Sequence, residues 1–112
     1  MTTDTLSTTL YAVADPTRRA ILARLLVGNS TITELAQPFS LSLPAITKHV
    51  RILEEAGLIQ KTKQAQWRPC KLRHERLQEV SSWLDPYRQL WETRLDLLGA
   101  YLEGGEKADP SP

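Results

Sequence analysis

The stretch Leu41-Ser42-Leu43-Pro44-Ala45-Ile46-Thr47-Lys48-His49-Val50-Arg51-Ile52-Leu53-Glu54-Glu55-Ala56-Gly57 carries its own start and stop signals. Ser42 offers a side-chain oxygen as a cap, Pro44 stands just inside the start where a missing N–H costs nothing, and Gly57 ends the run. A helix to about Ala56 is predicted. Ile46, Val50 and Leu53 follow the i, i+4, i+7 pattern and should face a core, with Leu43 near the start on the same side. The opposite arc holds Pro44, Ala45, Thr47, Lys48 and Arg51. It is small and polar near the N-terminus and then cationic, which suits either a wet helix face or an acidic partner.

Upstream, Thr31 and Glu34 form a capping-box pair before Leu35 and Ala36, and Pro38 limits that helix to about residues 32–37. Before it, Asp15-Pro16 starts a helix that runs to about Val27, with an expected buried stripe of Ile21, Leu22, Leu25 and Leu26 and a stop at Gly28-Asn29. Arg18 and Arg19 near its start oppose the helix dipole, a placement that a phosphate partner would explain. At the N-terminus, Leu6, Leu10, Val13 and Ala14 are spaced by three and four and read as a short amphipathic helix.

Downstream, Leu58 to Leu72 reads as a two-stranded hairpin with a cationic tip, in which Pro69 must occupy an edge or a bulge. From about Arg73 the helical period returns. Leu77, Leu84, Trp91 and Leu98 lie seven apart with Val80, Tyr87 and Leu95 beside them, and Trp83, Leu90 and Leu97 make a second row. Asp85-Pro86 splits or bends this stretch. So broad an apolar face invites a partner helix. The reading is one domain over residues 1–102 and a disordered tail over 103–112.

The chain has 112 residues, 41% of them apolar, enough for one small core and too few for a separate cofactor domain. Its apolar stretches fall far short of the roughly 18 residues that cross a bilayer, no secretory segment is evident, and the cytoplasm is the expected compartment. Net charge is only +1, but residues 47–80 hold eight basic against four acidic side chains and residues 81–112 three against six. A neutral chain with a basic middle is compatible with an anionic partner docking there, and equally with a mixed solvated surface.

The element order of helix, helix, short helix, turn, longer helix, cationic hairpin and long helix matches a winged helix-turn-helix, mainly α with a small β-hairpin. A helix fits the major groove of duplex DNA when its N-terminal residues are short, as Ser42, Pro44, Ala45 and Thr47 are. Lys48 and Arg51 can reach guanine edges or phosphates. Lys61, Lys63, Gln64, Gln66 and Arg68 are read as a wing on the minor groove or backbone, or otherwise as an edge-protected hairpin. His49 either contacts a phosphate or bonds across the turn to fix the two helices. Trp67 reads as packing between wing and helices ahead of base stacking.

The stretches Ala14-Asp15-Pro16-Thr17-Arg18-Arg19, Thr33-Glu34-Leu35-Ala36, Leu41 to Val50 and Leu53-Glu54-Glu55-Ala56-Gly57-Leu58-Ile59 together resemble the arsenic-repressor-like (ArsR) family of bacterial transcriptional regulators over about residues 6–100. The resemblance implies a homodimeric repressor on double-stranded DNA whose first and last helices pair with their symmetry mates. It places the reading helix on Ser42 to Glu55 and the wing on Lys61 to Arg68. Pairing is expected through Leu6, Leu10 and Val13, and through Leu84, Tyr87, Leu90, Trp91, Arg94, Leu95 and Leu98.

The chain departs from the metal-sensing members. Where they carry a Cys-x-Cys pair it reads Glu34-Leu35-Ala36-Gln37-Pro38, and the last helix has no histidine. Zinc normally takes four ligands, and Cys70 with His74 supplies two at most. No metal, cofactor or membrane partner is expected, and no effector is named by the residues. Packing is the leading role for Cys70, ahead of an intersubunit disulfide. A rival function is a protein-interaction module using the C-terminal aromatic and leucine face. An enzyme has little support, because neither a phosphate-cradling glycine loop nor a serine-centred elbow is present.

Overall fold

A computed structural model describes residues 4–63 and 67–108. The elements run α1 (Thr5–Ala12), α2 (Pro16–Val27), α3 (Ile32–Ala36), α4 (Leu43–Glu55), β1 (Ile59–Lys61), β2 (Cys70–Leu72), α5 (Glu75–Trp83) and α6 (Asp85–Ala108). The chain divides into two compact units, residues 1–80 and 81–112.

Four helices begin on side-chain caps, of which Asp15, Thr31 and Ser42 are read from sequence and Asp4 is not. Asp4 accepts from the Ser7 N–H at 2.7 Å, Asp15 from Arg18 at 3.1 Å, Thr31 from Glu34 at 3.2 Å and Ser42 from Ala45 at 3.3 Å. Each satisfies an amide that the helix leaves without a partner. Glu34 completes the capping box by accepting from the Thr31 N–H at 2.8 Å, which lets a five-residue helix hold its start.

The core of the first unit gathers Ile21, Leu22 and Leu25 from α2, Leu35 from α3, Ile46, Val50 and Leu53 from α4, and Leu58, Ile59 and Cys70 from the hairpin. Leu26 and Leu43 depart from expectation, at 75% and 48% exposed. The α2 stripe facing α4 and β2 is only three residues wide, and Leu26 instead lines an open apolar groove with Val13, Ala23, Leu72 and Leu77. Leu43 is the first residue of α4, before the helix descends into the core.

The two arginines of α2 also differ from expectation. Arg18 is 7% exposed. Its Nε donates to the Ala12 carbonyl at 2.6 Å and its Nη2 to the Tyr11 carbonyl at 3.2 Å, with the guanidinium 5.3 Å from the centre of the Tyr11 ring. Arg19 donates to the Val13 carbonyl at 2.8 Å. The cations that oppose the dipole of α2 therefore complement that of α1, whose last carbonyls they satisfy. A phosphate partner is not needed to explain them.

Strands β1 and β2 pair antiparallel with Ile59 opposite Leu72 and Lys61 opposite Cys70. Thr62 extends the ladder by donating its N–H to the Pro69 carbonyl at 2.9 Å, so Pro69 takes part through the one backbone group that it has to offer. Ser30 adds a bridge that the sequence reading missed, exchanging backbone bonds with Cys70 at 2.7 and 3.2 Å.

The second unit is the α5–α6 corner and α6. Arg88 fixes the corner, paired with Asp85 at 3.0 Å and donating to the Ser81 hydroxyl at 2.8 Å. Trp83 and Tyr87 rings stack tilted, 5.7 Å between centroids. The apolar rows end at Leu102, yet α6 continues to Ala108. Residues 109–112 lie outside the described residues.

Leu53→Ala should destabilise the first unit by about 2–5 kcal/mol, because the site is sealed and cannot collapse easily. Leu43→Ala should change stability by no more than about 0.5 kcal/mol. Urea denaturation of both variants checks the contrast. The Arg18 amide holds the Asp15 carboxyl below its ordinary value. Its stabilisation is thus present above the ordinary carboxylate range and is lost as pH falls through the lowered value. Asp15→Asn, which still caps but does not titrate there, should flatten the acid limb of a stability–pH profile.

Candidate nucleic-acid interface

α3 packs on α4, and α4 in turn packs on α2 and β1. Burying Ile46, Val50 and Leu53 turns the opposite arc of α4 outward. At about 100° per residue, Pro44, Lys48 and Arg51 fall in one row away from the core, flanked by Ala45 on one side and Thr47 on the other. Ser42, Pro44, Lys48 and Arg51 are exposed, and Ala45 and Thr47 are half-buried. Among the described residues neither Lys48 nor Arg51 takes part in an ion pair. The arc thus offers a low, small-residue end and two cations for an anionic surface.

The N-terminus of α4 offers fewer amides than an ordinary helix start. Pro44 has none, and the Ala45 N–H is bonded to the Ser42 oxygen at 3.3 Å. Ser42 keeps its hydroxyl proton, so it can still donate to an acceptor.

His49 stands apart from this row. It projects from the edge of the core face, half-buried, with Nδ1 3.2 Å from Nη1 of Arg18. The contact joins α4 to α2 and does not cross the turn between α3 and α4. Arg18 and Tyr11 were not picked out as part of this corner. The only available signal was the unexplained pair of cations at the start of α2.

On the wing, Lys61 and Lys63 are exposed, and Lys61 lies 3.8 Å from Glu54 in an exposed pair that contributes little. Arg68 is exposed in a left-handed turn conformation, φ 45°. Trp67 is 52% exposed, so its expected packing between wing and helices is corrected: the two short strands end too soon to fold its ring inward. Gln64 and Gln66 lie outside the described residues.

Leu6, Leu10 and Val13 are half-buried in the first unit. In the second, Leu84 is half-buried, while Tyr87, Leu90, Trp91, Arg94, Leu95 and Leu98 are all exposed on α6. Among the described residues no three His, Cys, Asp or Glu side chains cluster as a metal site. Cys70 is sealed in the core, and burial pushes its thiol pKa up, away from the reactive and metal-binding thiolate. No helix of the described residues is long and apolar enough to cross a membrane.

Residues 13–62 match a protein family described as a helix-turn-helix domain. The transcriptional repressor SdpR of Bacillus subtilis is 36% identical over 73 residues, which span 65% of this chain and 81% of SdpR. The crystal structure of the ArsR family transcriptional regulator RHA00566 is 43% identical and superposes with a TM-score of 0.71, covering 80% of this chain and 98% of that one. The homodimeric winged helix-turn-helix DNA-binding domain Mb0332 of Mycobacterium bovis shares the fold at 17% identity and a TM-score of 0.60, covering 83% of each chain. With its capped helix-turn-helix, its antiparallel wing and relatives matched over most of their length, the chain belongs to the ArsR family of winged-helix transcriptional regulators.

Proposed function

We propose that this regulator is a cytoplasmic homodimeric repressor that occupies a partly palindromic operator through α4 and the wing. The observation that carries the reading is the exposed row of Pro44, Lys48 and Arg51 on a helix whose other face is sealed into the core. Ser42, Pro44, Ala45 and Thr47 leave room for base edges. The methyl groups of Ala45 and Thr47 suit the methyl of thymine, and Lys48 and Arg51 reach guanine or phosphate. Lys61, Lys63 and Arg68, with Gln64 and Gln66 between them, add backbone contacts that are indifferent to sequence. His49 belongs to the same helix.

Two observations support a dimer. α6 presents Tyr87, Leu90, Trp91, Leu95 and Leu98 to solvent, an apolar face that a second copy would cover. The fold is shared with a homodimeric DNA-binding domain. Two reading helices related by a two-fold axis enter major grooves about one helical turn apart, and doubling one module brings affinity into the specific range. Arg94, exposed in the same set, belongs to the face that a second copy would meet. Occupancy of the promoter would repress transcription, and the relative SdpR is named a transcriptional repressor.

Selection of bound duplexes from random DNA, followed by the mass of the complex, tests the reading. A base preference with two chains per duplex supports it, and equal weak binding to every duplex by a single chain overturns it. Arg51→Ala should weaken the selected duplex more than others, by about 1–3 kcal/mol. Lys63→Ala should weaken all duplexes alike and lower the salt slope by about one. Leu84→Ala with Trp91→Ala should lower DNA affinity through the dimer, at about 2–5 kcal/mol of packing each. An unchanged dimer in sedimentation would reject that assignment.

A further inference from the structure

We propose that Arg18 and His49 form a proton-sensitive tie that holds the reading helix against the α1–α2 corner, with His49 acting as a positioning residue. This rests on the reading of α4 as the DNA-contacting helix. Arg18 is anchored at one end by the Ala12 and Tyr11 carbonyls and by the Tyr11 ring. Its remaining reach goes to His49 Nδ1 at 3.2 Å. The guanidinium can only donate and does not lose its proton, so His49 must accept through the lone pair of Nδ1 and carry its proton on Nε2. Only an imidazole with a bare Nδ1 can make this contact.

Protonation reverses the contact. An N–H then faces an N–H, and two cations stand where a donor met an acceptor. Among the described residues, the charged and titratable groups at this contact are Arg18 from α2 and the Asp15 carboxylate at the corner, which both His49 and Arg18 act upon, while the Tyr11 ring of α1 lies against Arg18. Asp15 is already engaged in capping α2 through the Arg18 amide, so it softens the repulsion without replacing the lost bond. The consequence lies one residue away. Lys48 and Arg51 stand on the helix that His49 holds, so a released α4 presents them in more than one pose.

The rival role for His49, contact with a DNA phosphate, predicts the opposite sign, since an imidazolium binds phosphate better than an imidazole does. The full chain is titrated with its selected duplex at about pH 7.5 and about pH 5.5, the range over which imidazoles change charge. Wild type should bind about tenfold more weakly at the lower pH, the scale of one hydrogen bond to a charged group. His49→Gln, whose amide oxygen accepts at either pH, should bind about equally at both. Tighter binding by wild type in acid, with no such gain in His49→Gln, would overturn the tie.

A second measurement needs no DNA. Nitrogen NMR of the free protein should find the His49 proton on Nε2 with Nδ1 bare, and acidification should shift the amides of Tyr11 to Arg18 in wild type and leave them in place in His49→Gln. A proton on Nδ1, or a corner indifferent to pH, would overturn the proposal even if no duplex were ever selected. Failure to select a duplex would count against the DNA reading alone.

Discussion

The first unit depends on one constraint, that α4 must bury Ile46, Val50 and Leu53 on a single face. These three side chains are fully enclosed and meet α2, α3 and the hairpin, so the orientation of α4 about its own axis is set by the hydrophobic effect. Once that face is chosen, helical geometry leaves no freedom for the rest. Pro44, Lys48 and Arg51 are turned outward because Ile46, Val50 and Leu53 are turned inward. The exposed row is the complement of the core, and a rotation of α4 that improved one would degrade the other.

Local capping makes the arrangement economical for so short a chain. Asp4, Asp15, Thr31 and Ser42 each satisfy an amide at a helix start, so α3 can be five residues long and the connection to α4 can be tight. The corner between α1 and α2 adds a device of another kind. Arg18 and Arg19 satisfy the last carbonyls of the preceding helix, and Arg18 reaches on to α4. One buried guanidinium thus joins three helices, with an aromatic face and carbonyl oxygens to compensate its burial.

Much of this was legible in the sequence because it is local. Caps, proline positions, the Gly57 stop with φ 79° and the three-residue seam of α4 involve neighbours within a few positions, and the split at Asp85-Pro86 was read from the same chemistry. What escaped notice involves distant pairs. Nothing in the order of residues says that Arg18 meets His49, that Ser30 bridges Cys70, or that Leu26 faces solvent while Leu25 does not. The wing was partly legible: its strands and cationic residues were found, but the ring of Trp67 needed the lengths of the strands to place it. The broad apolar face of α6 was visible as two sevenfold rows, and Tyr87, Leu90, Trp91, Leu95, Leu97 and Leu98 on it are exposed.

The central claim is that the outward row of α4 is what meets DNA. Amide shift mapping of the full chain against a duplex selected by the protein tests it most directly. The account predicts changes concentrated at Ser42 to Arg51 and at the wing around Lys61 to Arg68. Changes confined to α6, with the α4 amides unmoved, would contradict it.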